Sequence, residues 1–251
     1  MTQEISDLKK YFKNNQKRLI QKWNHYFDAY EQHFSRFRNK EVVILEIGVF
    51  QGGSLQMWKD YFGPKAKIYG IDINPRCREL EEDNIKIFIG SQSNRKFLRE
   101  IKEKIPPVDI LIDDGGHTMR QQIVTFEELF DHVKENGVYL CEDLHTSYHL
   151  SYGGGYRRMG TFIQKSKRFI DYLNAYHSRE PFFKVNSFTQ SVQSLHYYDS
   201  MLVIEKRKRT KPFDESTGTP SYPIESSSNI ASFILKIFTI ITGIFKLPGF
   251  R

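Results

Sequence analysis

Two pairs of adjacent acidic residues close apolar runs in this sequence: Asp113 and Asp114 end VDILIDD, and Glu142 and Asp143 end GVYLCED. A histidine, His117, follows the first pair after two glycines, in DDGGHT. Successive side chains of an extended chain point to opposite sides, so one member of each pair faces a cofactor while its neighbour faces a substrate cleft. Carboxylates crowded at neighbouring strand ends repel one another and take up protons unless a cation sits among them. A hard divalent ion with oxygen ligands relieves the crowding, and Mg²⁺ is the usual one that keeps open water positions. A hydroxyl held on such an ion gives up its proton more readily, and an imidazole, which ordinarily titrates near neutral pH, can take it. Gly115 and Gly116 allow the sharp turn that brings His117 back over the metal. Taken alone, DDGGHT could be a solvated turn or a helix cap, with Asp114 or Thr118 capping a helix from Met119; the second acidic pair favours the metal site.

The elements that position these groups follow from hydrophobic patterning. VVILEIGV (Val42 to Val49) is a β-branched run of the kind buried on both faces in a central parallel strand. Similar runs recur at KIYGIDI, IKIFIG, VDILIDD and GVYLCED, and helical stretches fall between them at Ser54 to Phe62, Cys77 to Glu82, Asn94 to Lys104 and Met119 to Lys134. Strand alternating with helix predicts an α/β fold with a doubly wound, mostly parallel sheet. Such sheets bind ligands at the carboxyl ends of their strands, where Glu46 with Gly48, Asp72, Ser91 with Gln92, and the two acidic pairs all fall. FFKVNSF and SLHYYDSMLVIEKR read as a closing antiparallel pair, and His196 as a packed or hydrogen-bonded strand residue. His145 is either a supporting group or a surface histidine.

The turn after the first strand, in LEIGVFQGGSLQMW, lets backbone approach a ligand near Gly48, Gly52 and Ser54 and opens a helix whose amino end favours negative charge. The dinucleotide fingerprint needs a second glycine where Phe50 stands, which counts against NAD. Asp72, ending the second strand, suits the two ribose hydroxyls of an adenosine.

LEIGVFQGGS, GIDINP, IDDGGH and EDLHTSY, in that order, resemble the Rossmann-type S-adenosylmethionine (SAM) methyltransferases. The nearest resemblance is to the metal-dependent sugar O-methyltransferases that tailor macrolides and to the related cephalosporin hydroxylase-like group. It spans roughly Lys22 to Lys206. The resemblance implies that Glu46 and Gly48 line the methionine end of SAM, that Asp72 holds the ribose, and that Ser91, Gln92 and Asp113 border the adenine and cofactor side. It implies Asp114, Glu142 and Asp143 as ligands of Mg²⁺ and His117 as catalytic base. The expected reaction is methylation of a hydroxyl on a sugar, glycan or glycosylated small molecule; the alternatives are a Rossmann-fold NAD(P)-dependent oxidoreductase and a non-catalytic scaffold in glycan assembly.

The rest of the chain is organised around this domain. Of 251 residues, 39% are hydrophobic, enough for a full core. The formal net charge of +7 comes from Lys and Arg spread among acidic residues, so no nucleic-acid partner is expected; the dense run EKRKRTK reads as a solvated strand end. Two isolated cysteines and a polar amino-terminal segment point to a reduced, cytoplasmic setting. We read residues 1–39 as an amphipathic helical segment, 40–209 as the methyltransferase domain, 210–228 as a Pro/Ser-rich linker and 229–251 as a separate amphipathic segment. In that last segment Ile230, Phe233, Ile234, Ile237, Phe238, Ile241, Ile244 and Phe245 form a helical stripe. The stripe suits peripheral contact with the inner face of the membrane, a partner or homo-oligomer interface, or packing on the protein's own core. The loop YGGGYRRMG (Tyr152 to Gly160) reads either as a substrate-covering loop, with Arg157 and Arg158 facing an acidic or hydroxylated acceptor, or as an ordinary exposed loop.

Overall fold

The computed structural model describes residues 6–222; the amphipathic reading of 229–251 and the end of the linker lie outside the described residues. The chain divides into two compact units, 1–212 and 213–251. The described part of the second, 213–222, holds no helix or strand. No helix among the described residues is long and apolar enough to cross a membrane.

The first unit is built on a seven-stranded sheet. Its strands are β1 (Val43–Ile47), β2 (Lys67–Asp72), β3 (Ile85–Ile89), β4 (Val108–Asp113), β5 (Val133–Cys141), β6 (Val192–Tyr198) and β7 (Met201–Lys206), in the order β3-β2-β1-β4-β5-β7-β6. The first five pair in parallel, and β7 runs antiparallel to both β5 and β6. The α/β, mostly parallel sheet expected from the patterning is present. The closing pair, however, is a single hairpin that SLHYYDSMLVIEKR supplies almost entirely, starting two residues earlier at Val192: Tyr198 faces Met201 across a two-residue turn in which Ser200 adopts φ 61°. FFKVNSF is not a strand, because Asn186 there caps the short helix Ser187–Ser191, accepting from the Thr189 N–H at 3.0 Å.

The helices are α1 (Asp7–Asn14), α2 (Tyr26–Phe34), α3 (Gly53–Phe62), α4 (Arg95–Lys104), α5 (Met119–Leu129), α6 (Phe162–Asn174) and α7 (Ser187–Ser191). α5 ends before Lys134 because the apolar residues from Val133 onward are taken into β5, and the stretch near Cys77 is a short 3-10 turn, Pro75–Leu80, opened by Asn74 and Pro75. Two apolar clusters sandwich the sheet. One joins Ile44, Ile110, Ile112, Val138 and Leu140 to α3 and to the amino-terminal helices; the other joins Leu45, Ile47, Leu111, Tyr139 and Cys141 to α4, α5 and α6. Leu8, Tyr26, Phe27, Ala29, Tyr30 and Phe34 are all buried. Since each large side chain so placed contributes roughly 1.5–3 kcal/mol, α1 and α2 are integral to the face of the sheet they cover.

A candidate active site at the carboxyl ends of the strands

Period-two alternation decides which strand-end groups meet. Ile47 of β1 pairs with Asp113 of β4, and Asp113 pairs with Cys141 of β5, so the three strands finish at one level. Glu46, Asp114 and Glu142 continue the same side as Ile44, Ile112 and Leu140, the side covered by α1, α2 and α3. Asp113 points to the opposite side, wholly buried, where Gln92 Nε2 donates to its Oδ1 at 2.9 Å. Burial pushes the Asp113 carboxyl up to about 7, against the hydrogen bond from Gln92.

The acidic side meets a residue from outside the motifs. Lys22, in the chain between α1 and α2, places its Nζ 2.5 Å from Asp114 Oδ2, 2.9 and 3.1 Å from the two Glu142 oxygens and 3.5 Å from Glu46 Oε1. Burial lowers the Lys22 pKa, but the carboxylates of Asp114, Glu142 and Glu46 outweigh it and hold the ammonium protonated. Tyr30 donates to Glu142 Oε1 at 2.7 Å and Tyr26 donates to Asp143 Oδ1 at 2.7 Å. Glu46 is completely enclosed: Ser54 Oγ and Trp58 Nε1 both donate to Oε2, and burial pushes its carboxyl up to about 7 with Lys22 offsetting part of the rise. Glu142 is driven upward by burial and by Asp114, with Lys22 and Tyr30 opposing. A single ammonium therefore does not relieve the crowd of carboxylates.

His117 and Asp143 converge from two turns. Both residues adopt left-handed backbone, with φ 56° and 55°, a conformation that is costly away from glycine and is held only by surrounding contacts. The His117 carbonyl accepts from Thr146 Oγ at 2.9 Å, and Thr118 rather than Asp114 caps α5 through a reciprocal bond pair with Gln121. The result sets His117 Nε2 3.5 Å from Asp143 Oδ2 and 3.9 Å from Asp114 Oδ1. Asp114, His117 and Asp143 thus offer ligand atoms that all lie within 4.8 Å of one another, while Glu142 faces Lys22 and Tyr30 instead.

These groups line a cavity of about 710 Å³ that the glycine-rich turn and Asp72 also border. Gly48, Ser54, Asp72, Ser91, Gln92, Asp114, His117, Glu142 and Asp143 all border it, as do Lys22 and His145; Glu46, Gly52 and Asp113 stand behind the wall. Asp72 Oδ2 accepts the N–H groups of Val49 and Phe50 at 2.9 and 3.0 Å, which moulds the turn around the carboxylate. Gln92 uses its whole amide as a strut: Nε2 donates to Asp113 and Thr125, and Oε1 accepts the Gly116 N–H at 2.8 Å. His145 Nδ1 lies 3.2 Å from Ser200 Oγ, and its ring meets Trp23 edge-on at 5.9 Å. His196 is bound to Ser194 Oγ at 2.9 Å and packs on His33, away from the cavity. The loop Tyr152 to Gly160 is tied to the preceding turns, Gly154 N–H donating to His149 O and Gly155 N–H to Ser147 O; neither Arg157 nor Arg158 borders the cavity.

Gly48, just past the end of β1, lies against the chain just past the end of β4. At φ 95°, a Cβ there would lie 2.0 Å from the Asp114 carbonyl oxygen. We expect Gly48→Ala to cost on the order of 3 kcal/mol or more, since it combines a forbidden dihedral with a backbone clash. A thermal midpoint within a degree or two of wild type, read by circular dichroism, would contradict that account.

Residues 45–144 match the sequence profile described as "Methyltransferase domain". The matched segment runs from within β1 to just past the end of β5 and thus holds every acidic strand end described above. Among curated proteins, the chain is 37% identical over 200 residues to 8-demethyl-8-(2-methoxy-alpha-L-rhamnosyl)-tetracenomycin-C 3'-O-methyltransferase of Streptomyces olivaceus, covering 75% of this chain and 51% of that protein. It is 34% identical over 194 residues to mycinamicin VI 2''-O-methyltransferase of Micromonospora griseorubida, covering 72% and 48%. The chain therefore spans about half the length of the curated relatives it matches. Among solved structures it is similar to the MycE methyltransferase of the mycinamycin biosynthetic pathway, in complex with Mg, SAH and mycinamycin VI, with a TM-score of 0.72 and 28% identity over 92% of this chain and 59% of that one. The fold is thus the Rossmann-like methyltransferase fold, whose seven-stranded sheet includes the β6–β7 pair, with α1 and α2 packed on one face.

Lys22, Tyr26 and Tyr30 are the site residues that the motifs leave out. A signal for them is present, since they recur at every fourth position within an aromatic stripe. Buried tyrosine hydroxyls and a lysine on such a stripe need partners.

Proposed function

We propose that the chain is a SAM-dependent, Mg²⁺-assisted O-methyltransferase acting on a hydroxyl of a sugar, within a glycan or a glycosylated small molecule. The observation that carries this reading is the convergence of Asp114, His117 and Asp143 in one cavity with the Gly48 turn and Asp72. The named activities of the tetracenomycin and mycinamicin relatives, and the Mg and SAH of the MycE complex, support it.

The donor set fits a small hard cation. Carboxylate oxygens of Asp114 and Asp143 lie within 4.8 Å of each other, close to the about 4.2 Å that two ligands about 2.0–2.1 Å from Mg²⁺ can span. Mg²⁺ prefers oxygen, so Asp114 and Asp143, with Glu142 beside them, are the residues that would hold it. Bound there, Mg²⁺ would lower the pKa of the acceptor hydroxyl. SAM would supply the methyl group as an electrophile. Asp72, whose Oδ2 accepts from Val49 and Phe50 and whose Oδ1 accepts from the Asn74 N–H, keeps acceptor capacity on Oδ1 for a ribose hydroxyl, and Ser91 would border the cofactor beside it. Glu46 and Asp113 act from behind the wall, by fixing Ser54 and Gln92. His117 takes the acceptor proton at Nε2 as the oxygen acquires the methyl, and Asp143 stabilises the imidazolium that results.

The experiment is calorimetric titration with SAM, paired with turnover on a panel of deoxysugar glycosides in the presence of Mg²⁺ or a chelator. SAM binding that persists in chelator, with methyl transfer abolished there and restored by added Mg²⁺, is the expected result. Failure to bind SAM, or transfer unaffected by chelator, would remove the reading.

A further inference from the structure

Residues 15–25 join α1 to α2 without helix or strand of their own, and they form a strap across the cavity. Leu19, Ile20, Gln21, Lys22 and Trp23 all border it. The strap lies directly on the start of α3: a Cβ at Gly53 would sit 2.3 Å from the Leu19 carbonyl oxygen and 2.5 Å from that of Arg18. It is pinned at one end by Arg18, whose Nη1 donates to the Leu80 carbonyl at 2.8 Å and lies 3.2 Å from Glu82. Its other pin is Lys22, with the side chain 2% exposed and the ammonium on carboxylates from the ends of β1, β4 and β5.

We propose that Lys22 is the resident cation of the acidic centre: it positions Asp114 and Glu142 while no divalent ion is bound, and a divalent ion binding there takes over those carboxylates and releases Lys22 together with the strap. This rests on the reading that the centre takes a divalent ion. Both Glu142 oxygens and Asp114 Oδ2 lie within 3.1 Å of the ammonium, so an ion can use the full acidic set only once Lys22 has moved. Two cations held on the same carboxylates in a buried, weakly screened site repel each other strongly. Trp23, the next residue of the strap, borders the same cavity and is already 53% exposed. Lysine suits this part, as a compact charge on a flexible stem that can swing without taking the backbone of α2 with it. Because the strap covers the glycine-rich turn, the state of the acidic centre is coupled to access at the cofactor wall.

Lys22→Met keeps the length and apolar stem while removing the charge. Titrating Mg²⁺ into the full chain by calorimetry, without cofactor or acceptor, should show about tenfold or more tighter binding by Lys22→Met than by wild type, since a competing charge has gone. Equal or weaker affinity would overturn the proposal while leaving the Mg²⁺ site standing. A second measurement needs no variant. Trp58 is completely buried, so acrylamide quenching of tryptophan emission reports on Trp23. Quenching of the wild-type protein should rise with Mg²⁺ at the midpoint found by calorimetry. Mg²⁺ binding with no change in quenching would overturn release of the strap. No Mg²⁺ heat from either protein would overturn the cation reading itself, and this proposal with it.

Discussion

Replacing His117 with asparagine should lower turnover by about 10²–10⁴-fold, the usual contribution of a positioned general base, while SAM affinity stays close to wild type. Asparagine is chosen because it tolerates the left-handed backbone that His117 adopts at φ 56°. The Thr146 bond is made to the main-chain carbonyl at this position and survives the change, and Thr118 still caps α5. Folding and the cofactor wall are thus preserved, and the loss falls on proton removal. The check is to measure SAM binding by calorimetry and methyl transfer by SAH release on the same preparations. Transfer within a few fold of wild type would show that the proton leaves by another route.

The second large effect is expected at Asp143. Asp143→Asn should weaken Mg²⁺ binding by at least about 100-fold, because removing a charged ligand costs no less than the 10–100-fold typical of changes in the groups that merely support ligands. The substitution is conservative everywhere else. Asparagine can keep the left-handed φ of 55°, and its Oδ1 can still accept from Tyr26. Asp143 also makes no contact with Lys22 comparable to those of Asp114 and Glu142, so the buried ion pairs of the centre stay intact. Calorimetry across a range of Mg²⁺ concentrations reads the effect directly. Transfer should fall in parallel and recover in part at high Mg²⁺. A variant with wild-type Mg²⁺ affinity would take Asp143 out of the ligand set.

Much of the sheet was legible because its central strands, β1 and β4 above all, are buried on both faces and read as apolar runs rich in β-branched residues; all five parallel strands fall where such runs lie. The last two strands were harder. FFKVNSF has strand composition, but Asn186 turns the chain into a capped helical turn, and SLHYYDSMLVIEKR holds nearly all of a hairpin whose turn, Asp199-Ser200, carries no glycine to mark it. At the site, the acidic pairs and His117 were visible as polar groups ending apolar runs. Their division of labour was less so. Asp113 takes the hidden side and is committed to Gln92, and Glu142 is committed to Lys22 and Tyr30, so the cluster that forms is Asp114, His117 and Asp143.

The sequence by itself determined which strands carry acidic ends and, through the alternation of side chains, that the two members of each pair part company. Those are local properties, set by a period of two and by the apolar runs that make a strand. Only the tertiary structure decided which charges meet. Lys22 reaches Glu142 across 120 positions of sequence, and it does so because α1 and α2 bury their stripe on the side of the sheet toward which Glu46, Asp114 and Glu142 point. Coulombic partnership depends on separation in space. In this protein that separation was set by hydrophobic packing of a segment that carries none of the motifs.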